Sequence, residues 1–277
     1  MIIGILLFLG LALGSFVNAF VWRLHEQDEV KSMKKLDKKY LEKLSIQKGR
    51  SMCPHCKHEL TAKDLVPVLS WLYLRGKCRY CRKSIEDSPL VELSTMALFG
   101  LSYAWWPFDL HGVGLYYFVF WLNFLAAFMA LAVYDLRWYI LPDKIVFPII
   151  FLSIIELVGS IFFYKQGWHA LTSALWGVLV SSGLFYAIFV ISKEQWIGGG
   201  DVKLGIVLGI ILGGPAMSLL MLFMASSLGS IVGIPFLLAG KRNVRLPFGP
   251  FLLLSTFIVM LFGSSLINWY KTRVGIY

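Results

Sequence analysis

Residues 113–134 read VGLYYFVFWLNFLAAFMALAVY and are followed at once by Asp135. A charge-free run of this length is what a helix rising about 1.5 Å per residue needs to cross about 30 Å of hydrocarbon. Working outward, comparable runs lie at approximately 1–22, 89–107, 145–164, 170–192, 217–240 and 250–269. A short one at 204–213 is cut off by Gly213, Gly214 and Pro215. The chain therefore reads as an all-α, polytopic membrane protein with about eight transmembrane helices. The first run contains Ser15 and Asn18 and lacks a basic leading region and a convincing cleavage site, so it is expected to be a retained helix rather than a secretory signal.

Composition agrees with this reading. The 277 residues are 58% hydrophobic and only 15% charged, with a mean hydropathy of +0.71, whereas soluble domains carry about 25% charged residues. That excludes a soluble globular domain, a disordered tail, a collagen and a disulfide-stapled secreted module. Of the 26 Lys and Arg, 16 fall within residues 23–88. With that segment placed in the cytoplasm, the connections near 135–144, 193–203 and 241–247 join it, and together they hold 23 of the 26 basic residues. Positive-inside bias then puts both termini outside and every long polar segment inside. The formal charge of +10 needs no nucleic-acid partner to explain it. Three parts follow: a first transmembrane helix at 1–22, a cytoplasmic loop at 23–88 and a membrane core at 89–277.

Within the loop, residues 31–48 place Met33, Leu36, Tyr40, Leu41 and Leu44 at helical spacing among lysines. This predicts either an amphipathic helix on an anionic leaflet or a solvated charged helix. Further on stand CPHC and, after Leu74, RGKCRYC, so that Cys53 and Cys56 form one pair, Cys78 and Cys81 another, with 21 residues between. Two such pairs predict a small cytoplasmic zinc-binding loop domain with four thiolate ligands about 2.3 Å from the metal. Four sulfurs leave no open position for water, so the zinc is expected to be structural. A disulfide framework is disfavoured in a reducing compartment; His55 and His58 are alternative ligands for one position.

Outside 23–88 the acidic residues are Glu92, Asp109, Asp135, Asp143, Glu156, Glu194 and Asp201. Ionised carboxylates in hydrocarbon cost several kcal/mol unless paired or hydrated, so each is informative. Asp135 closes the third run in YDLRWYILPDK, and Asp201 sits in WIGGGDVKLG. The two intervening helices carry the chain out and back, returning both aspartates to one membrane face. Gly198, Gly199 and Gly200 are expected to free the backbone and let a substrate strand approach. A carboxylate pair sharing one proton deprotonates water and protonates a leaving amide, the chemistry of an aspartic peptidase. The alternatives are a membrane transporter using Glu156 and Asp201, and a zinc-loop scaffold without catalysis.

GGGD at 198–201 fits the GxGD pattern of polytopic aspartyl proteases, and DLRWYILPDK resembles the first-aspartate segment of the type IV prepilin peptidase and N-methyltransferase family. GSFVNAFVWRL at 14–24, the two cysteine pairs with PVLSWLYLRG before the second, SPLVELST at 88–95 and LPFGPFL at 246–252 resemble the same family, in order along nearly the whole chain. The resemblance implies a bacterial cytoplasmic-membrane enzyme. It would cleave the basic leader from prepilin or pseudopilin substrates at the inner face and methylate the new N-terminus with S-adenosylmethionine. It further implies that Asp135 and Asp201 are the catalytic pair, that Cys53, Cys56, Cys78 and Cys81 hold zinc, and that Asp143 helps position substrate. A peptidase without methyl transfer is the nearest alternative. No strand-borne GxGxxG accompanies the methyl-transfer expectation, which rests on resemblance alone.

Overall fold

A computed structural model describes residues 1–32, 38–46, 49–85, 88–163, 167–240 and 245–275. Every long described element is an α-helix, and the chain divides into two compact units, Met1–Ala104 and Trp105–Tyr277.

The first unit contains α1 (Ile2–Ser32), the short helices α2 (Lys38–Lys43) and α3 (Leu69–Tyr73), and α4 (Leu90–Ala104). No glycine or proline interrupts residues 15–48, and α1 accordingly runs ten residues beyond the apolar segment expected at 1–22. It packs on α4 through Gly10 and Gly14, one helical turn apart. A Cβ at those positions would lie 2.7 Å from the Met96 Cα and 2.6 Å from the Glu92 Cα. Small residues spaced in this way let two helix backbones touch where lipid offers no hydrophobic driving force. Of the helix expected over 31–48, α2 is the described piece; Met33 and Leu36 lie outside the described residues. Leu44 is fully buried, with Gln27 of α1 donating to its carbonyl at 2.8 Å, so this stretch is fastened back onto α1.

The second unit contains α5 (Gly112–Trp138), α6 (Asp143–Phe162), α7 (Gly167–Ile191), α8 (Gly199–Leu212), α9 (Pro215–Leu238) and α10 (Gly249–Val274). Helices α1, α5, α6, α7, α9 and α10 are long and apolar enough to cross a membrane. The runs at 89–107 and 204–213 form helices of 15 and 14 residues, shorter than the about 20 that a full crossing takes. The cause is local: Pro89 precedes α4 and Pro107 follows it, while Gly213 closes α8 in a left-handed conformation at φ 63°.

Helix α8 is held against α7 backbone to backbone. Ser181 donates to the Gly205 carbonyl at 2.7 Å and Ser182 to the Val202 carbonyl at 2.8 Å. A Cβ on Gly209 would lie 2.5 Å from the Val178 nitrogen. Aromatic packing joins α5 to α10, with the Trp121 and Phe257 rings stacked at 6.2 Å. Gly209→Val is therefore expected to force α7 and α8 apart and destabilise the protein by about 1–3 kcal/mol, the usual cost of overpacking. The test is the thermal midpoint in detergent, and an unchanged midpoint would contradict this contact.

Candidate functional site

Four helix ends of the second unit converge on Asp135. This residue lies in the last turn of α5 and is buried at 6% exposure. Its Oδ2 accepts the Gly249 N–H at 3.1 Å, across 114 residues of sequence. Gly249 opens α10 with Pro250 behind it, so the N–H that the helix leaves unbonded is the one given to the carboxylate. A Cβ on Gly249 would stand 2.5 Å from Asp135 Oδ2, so any side chain there must displace the carboxylate. Leu141, in the connection from α5 to α6, touches both Gly249 and Gly200 and so wedges between the starts of α10 and α8. That connection turns at Tyr139, whose left-handed conformation (φ 58°) closes α5.

Asp201 stands in the first turn of α8, half-buried, with its N–H donated to the Gly198 carbonyl at 3.1 Å. Leu141 links the two places, lying against Gly200 beside Asp201 and against Gly249 beside Asp135. The glycines before Asp201 differ from the expectation of a freely turning backbone. Gly198 caps α8 in an ordinary extended conformation, Gly199 and Gly200 are its first helical residues, and none of the three has a positive φ. At Gly200 the reason for glycine is contact: a Cβ there would be 2.9 Å from that of Leu141. Asp143, first residue of α6, pairs with Lys203 of α8 at 2.6 Å and ties the two helix starts together.

Glu156 lies elsewhere. It is 8% exposed and lines a cavity of about 370 Å³ with Tyr117, Ser160 and His169. Thirteen residues of helix separate it from Asp143, about 20 Å by helical rise. That cavity includes neither Asp135 nor Asp201.

In the first unit the four cysteines come together, their sulfurs all within 4.8 Å of one another, and they can hold a metal ion. Cys53 and Cys81 stand 3.9 Å apart, beside the about 3.8 Å expected for tetrahedral bonds of 2.3 Å. All four are free thiols. The two knuckles share one design. In the first, Cys53 N–H donates to the His58 carbonyl and Lys57 N–H to the Cys53 carbonyl; in the second, Cys78 and Lys83, then Arg82 and Cys78, repeat the pattern. Lys57 and Arg82 take the same left-handed turn, with φ of 56° and 60°. His58 packs at a tilt on Tyr80, ring centroids 3.7 Å apart, and His55 is exposed, and neither joins the sulfur cluster. Burial would raise the Cys78 thiol, but the N–H groups of Cys81 and Tyr80 and the thiols of Cys53 and Cys81 bring it down to about 7. Asp64 fastens the loop: burial opposes its ionisation, yet Arg79 at 2.6 Å and the N–H and hydroxyl of Thr61 hold it down at about 2.

Sequence reasoning missed Leu141 and Lys203 as site residues and used Gly249 only as part of a resemblance. The traces in the chain are the Phe-Gly-Pro at 248–250, a helix start with its side chain removed, and a lysine two residues beyond Asp201.

Comparison with known proteins adds independent findings. A family model described as the bacterial Peptidase A24 N-terminal domain matches residues 8–106, and one described as the type IV leader peptidase family matches residues 122–234. The prepilin leader peptidase/N-methyltransferase of Aeromonas hydrophila is 33% identical over 275 residues, covering 95% of this chain and 91% of that protein. Those of Bacillus subtilis (31% identical; 84% of this chain, 90% of that one) and Pseudomonas aeruginosa (30%; 96% and 92%) are also similar. No solved structure matches significantly.

Metal uptake by the cysteine cluster should depend on pH in a defined direction. Ligation needs thiolates, and the lowered Cys78 thiol supplies one above about pH 7, so the metal affinity of stripped protein is expected to fall as pH drops below that value. Titration of metal-free protein at pH 8 and pH 6 checks this; equal affinities would contradict it.

Proposed function

Because the chain belongs to the type IV prepilin leader peptidase/N-methyltransferase family, we propose that it cuts the basic leader from prepilin-like proteins and methylates the exposed amine. The protein is a multi-pass membrane protein, and the charge asymmetry of its connections supports a bacterial inner membrane with the cut at the cytoplasmic face.

The observation that carries the peptidase reading is that Leu141 lies against both Gly249, whose N–H holds Asp135, and Gly200, the residue before Asp201, so two carboxylates on different helix ends are brought to one place. Such a pair holds one proton between them. The ionised carboxylate takes a proton from a water that attacks the scissile carbonyl carbon, and the protonated partner first polarises the carbonyl oxygen and then supplies a proton to the departing amide nitrogen. Gly249 N–H holds Asp135 by its Oδ2. Gly200 lets the start of α8 pack directly on Leu141, and the Asp143–Lys203 pair holds α6 and α8 in register; Gly198 and Gly199, which carry no side chain, are the positions beside which a substrate strand would pass.

The metal of the cysteine cluster is zinc on this reading. Four sulfurs at tetrahedral spacing suit a closed structural site, with no role in the cut. Bound S-adenosylmethionine would supply an electrophilic methyl group to the amine that cleavage releases. Clients are prepilins or pseudopilins, whose basic leaders suit an inner-face site.

Asp135→Asn and Asp201→Asn, each alone, are expected to lower cleavage of a prepilin-like substrate in membranes by about 10²- to 10⁴-fold with the fold intact. Retained turnover in either removes that residue from the pair. Asp143→Asn should cost less than either. A finer check is Gly249→Ala, whose methyl group would displace the Asp135 carboxylate. It should reduce kcat by about 10²-fold with little change in KM, and wild-type kcat would show that the Gly249 contact is dispensable.

A further inference from the structure

Glu156 has no part in the cleavage reading. It lines the cavity of about 370 Å³ that lies between helix ends opposite to those of Asp135 and Asp201. Tyr117 and Trp121 line it from the early turns of α5, whose last turn holds Asp135. Ile210 and Leu212 line it from the last turn of α8, whose first turn holds Asp201. The volume falls within the range of about 300–1,000 Å³ usual for small-molecule sites.

Glu156 is 8% exposed, and its carboxylate has no hydrogen bond or ion pair among the described residues. Its backbone, by contrast, is held. The Tyr116 hydroxyl donates to the Glu156 carbonyl at 2.9 Å, an approach that bare Gly159 permits, since a Cβ there would strike that hydroxyl. The turn is therefore fixed while an acidic side chain faces the cavity unpaired. A buried carboxylate without a partner carries a cost that a cationic ligand removes.

The rest of the lining selects the ligand. Among the described residues no Lys or Arg lines the cavity, and its other titratable groups are the Tyr117 phenol and the exposed His169 imidazole. Ser160 gives its hydroxyl proton to the Leu157 carbonyl at 2.7 Å, which leaves its oxygen an acceptor, and Phe108, Trp121 and Phe124 supply ring surface. An anion meets the charge of Glu156. A divalent metal ion finds one carboxylate where it needs several oxygen ligands. A hydrocarbon leaves the acid unpaired. An ammonium group pairs with Glu156, donates to Ser160 and lies against rings that attract cations, and an apolar body attached to it fills the remaining space. We propose that this cavity binds an alkyl ammonium group, with Glu156 as its counter-ion. The proposal stands apart from the cleavage and methyl-transfer readings. Two carriers present the same group: the ethanolamine headgroup of a phospholipid and a free alkyl amine.

The test uses the full-length protein in detergent, stripped of co-purified lipid, with radiolabelled hexylamine. Equilibrium dialysis should show saturable binding, weakened about tenfold or more by Glu156→Gln, which keeps the shape and removes the charge. Ser173→Leu, which fills the cavity and leaves the carboxylate in place, should weaken it as much. Hexanol, of equal length and uncharged, should not compete. Native mass spectrometry from nanodiscs of phosphatidylethanolamine and phosphatidylglycerol in equal parts separates the carriers. Ethanolamine lipid retained by wild type and lost from Glu156→Gln makes the headgroup the ligand; hexylamine binding without such retention makes it a soluble amine. Undiminished hexylamine binding in either folded variant, or competition by hexanol equal to that of unlabelled hexylamine, overturns the proposal. So does a wild-type protein that shows neither saturable hexylamine binding nor Glu156-dependent lipid retention.

Discussion

A carboxylate removed from water at the end of an apolar helix must find a partner, and Asp135 finds it in the backbone of Gly249. The rest of the candidate site is arranged around that bond. It requires the start of α10 to face the end of α5 with no side chain between them. It leaves the other oxygen of Asp135 unclaimed by Gly249. Leu141 fills the space beside it, and filling that space brings the glycine-lined start of α8, and therefore Asp201, to the same place.

Close approach of backbones recurs as the means by which this membrane protein sets distances. Where two helices meet in lipid, area removed from water contributes little, so dispersion contacts and hydroxyl-to-carbonyl bonds carry the association. Gly10 and Gly14 serve α1 against α4, and Gly205 and Gly209 serve α8 against α7, where Ser181 and Ser182 add bonds to the facing carbonyls. Helix α8 is short, and those contacts fix where its first turn lies. A displacement of α7 would be transmitted directly to Asp201.

The first unit solves a different problem. Its loop is too polar and too short to build a sizeable core, and the paired knuckles bring four sulfurs together where a metal ion could replace that core. Each knuckle repeats the same two backbone bonds and the same left-handed residue, so the four thiols arrive preorganised. The Asp64–Arg79 pair and the strand-like bridges Met52–Glu59 and Lys77–Ser84 hold the knuckles in place.

The all-helical membrane architecture was legible in the chain, because uninterrupted apolar runs have one physical outcome in lipid: backbone groups without water must bond within a helix. The cysteine spacing was legible for a similar reason, since tight turns of CPHC and CRYC leave few ways to aim two sulfurs at one point. Glycine proved harder to read. The run at 198–200 invited an argument from backbone freedom, yet it adopts ordinary helical and extended geometry and is explained by what lies against it. The length of α1 and the brevity of α4 and α8 depended on prolines, glycines and packing beyond any hydropathy average. What only the tertiary structure decided is which groups face one another: Asp135 with Gly249, Asp143 with Lys203, and Leu141 with both Gly249 and Gly200. Hydrophobic periodicity records that a residue is buried or exposed, but pairing between helix ends many residues apart is set by the side-chain volumes and close contacts of the helices in between.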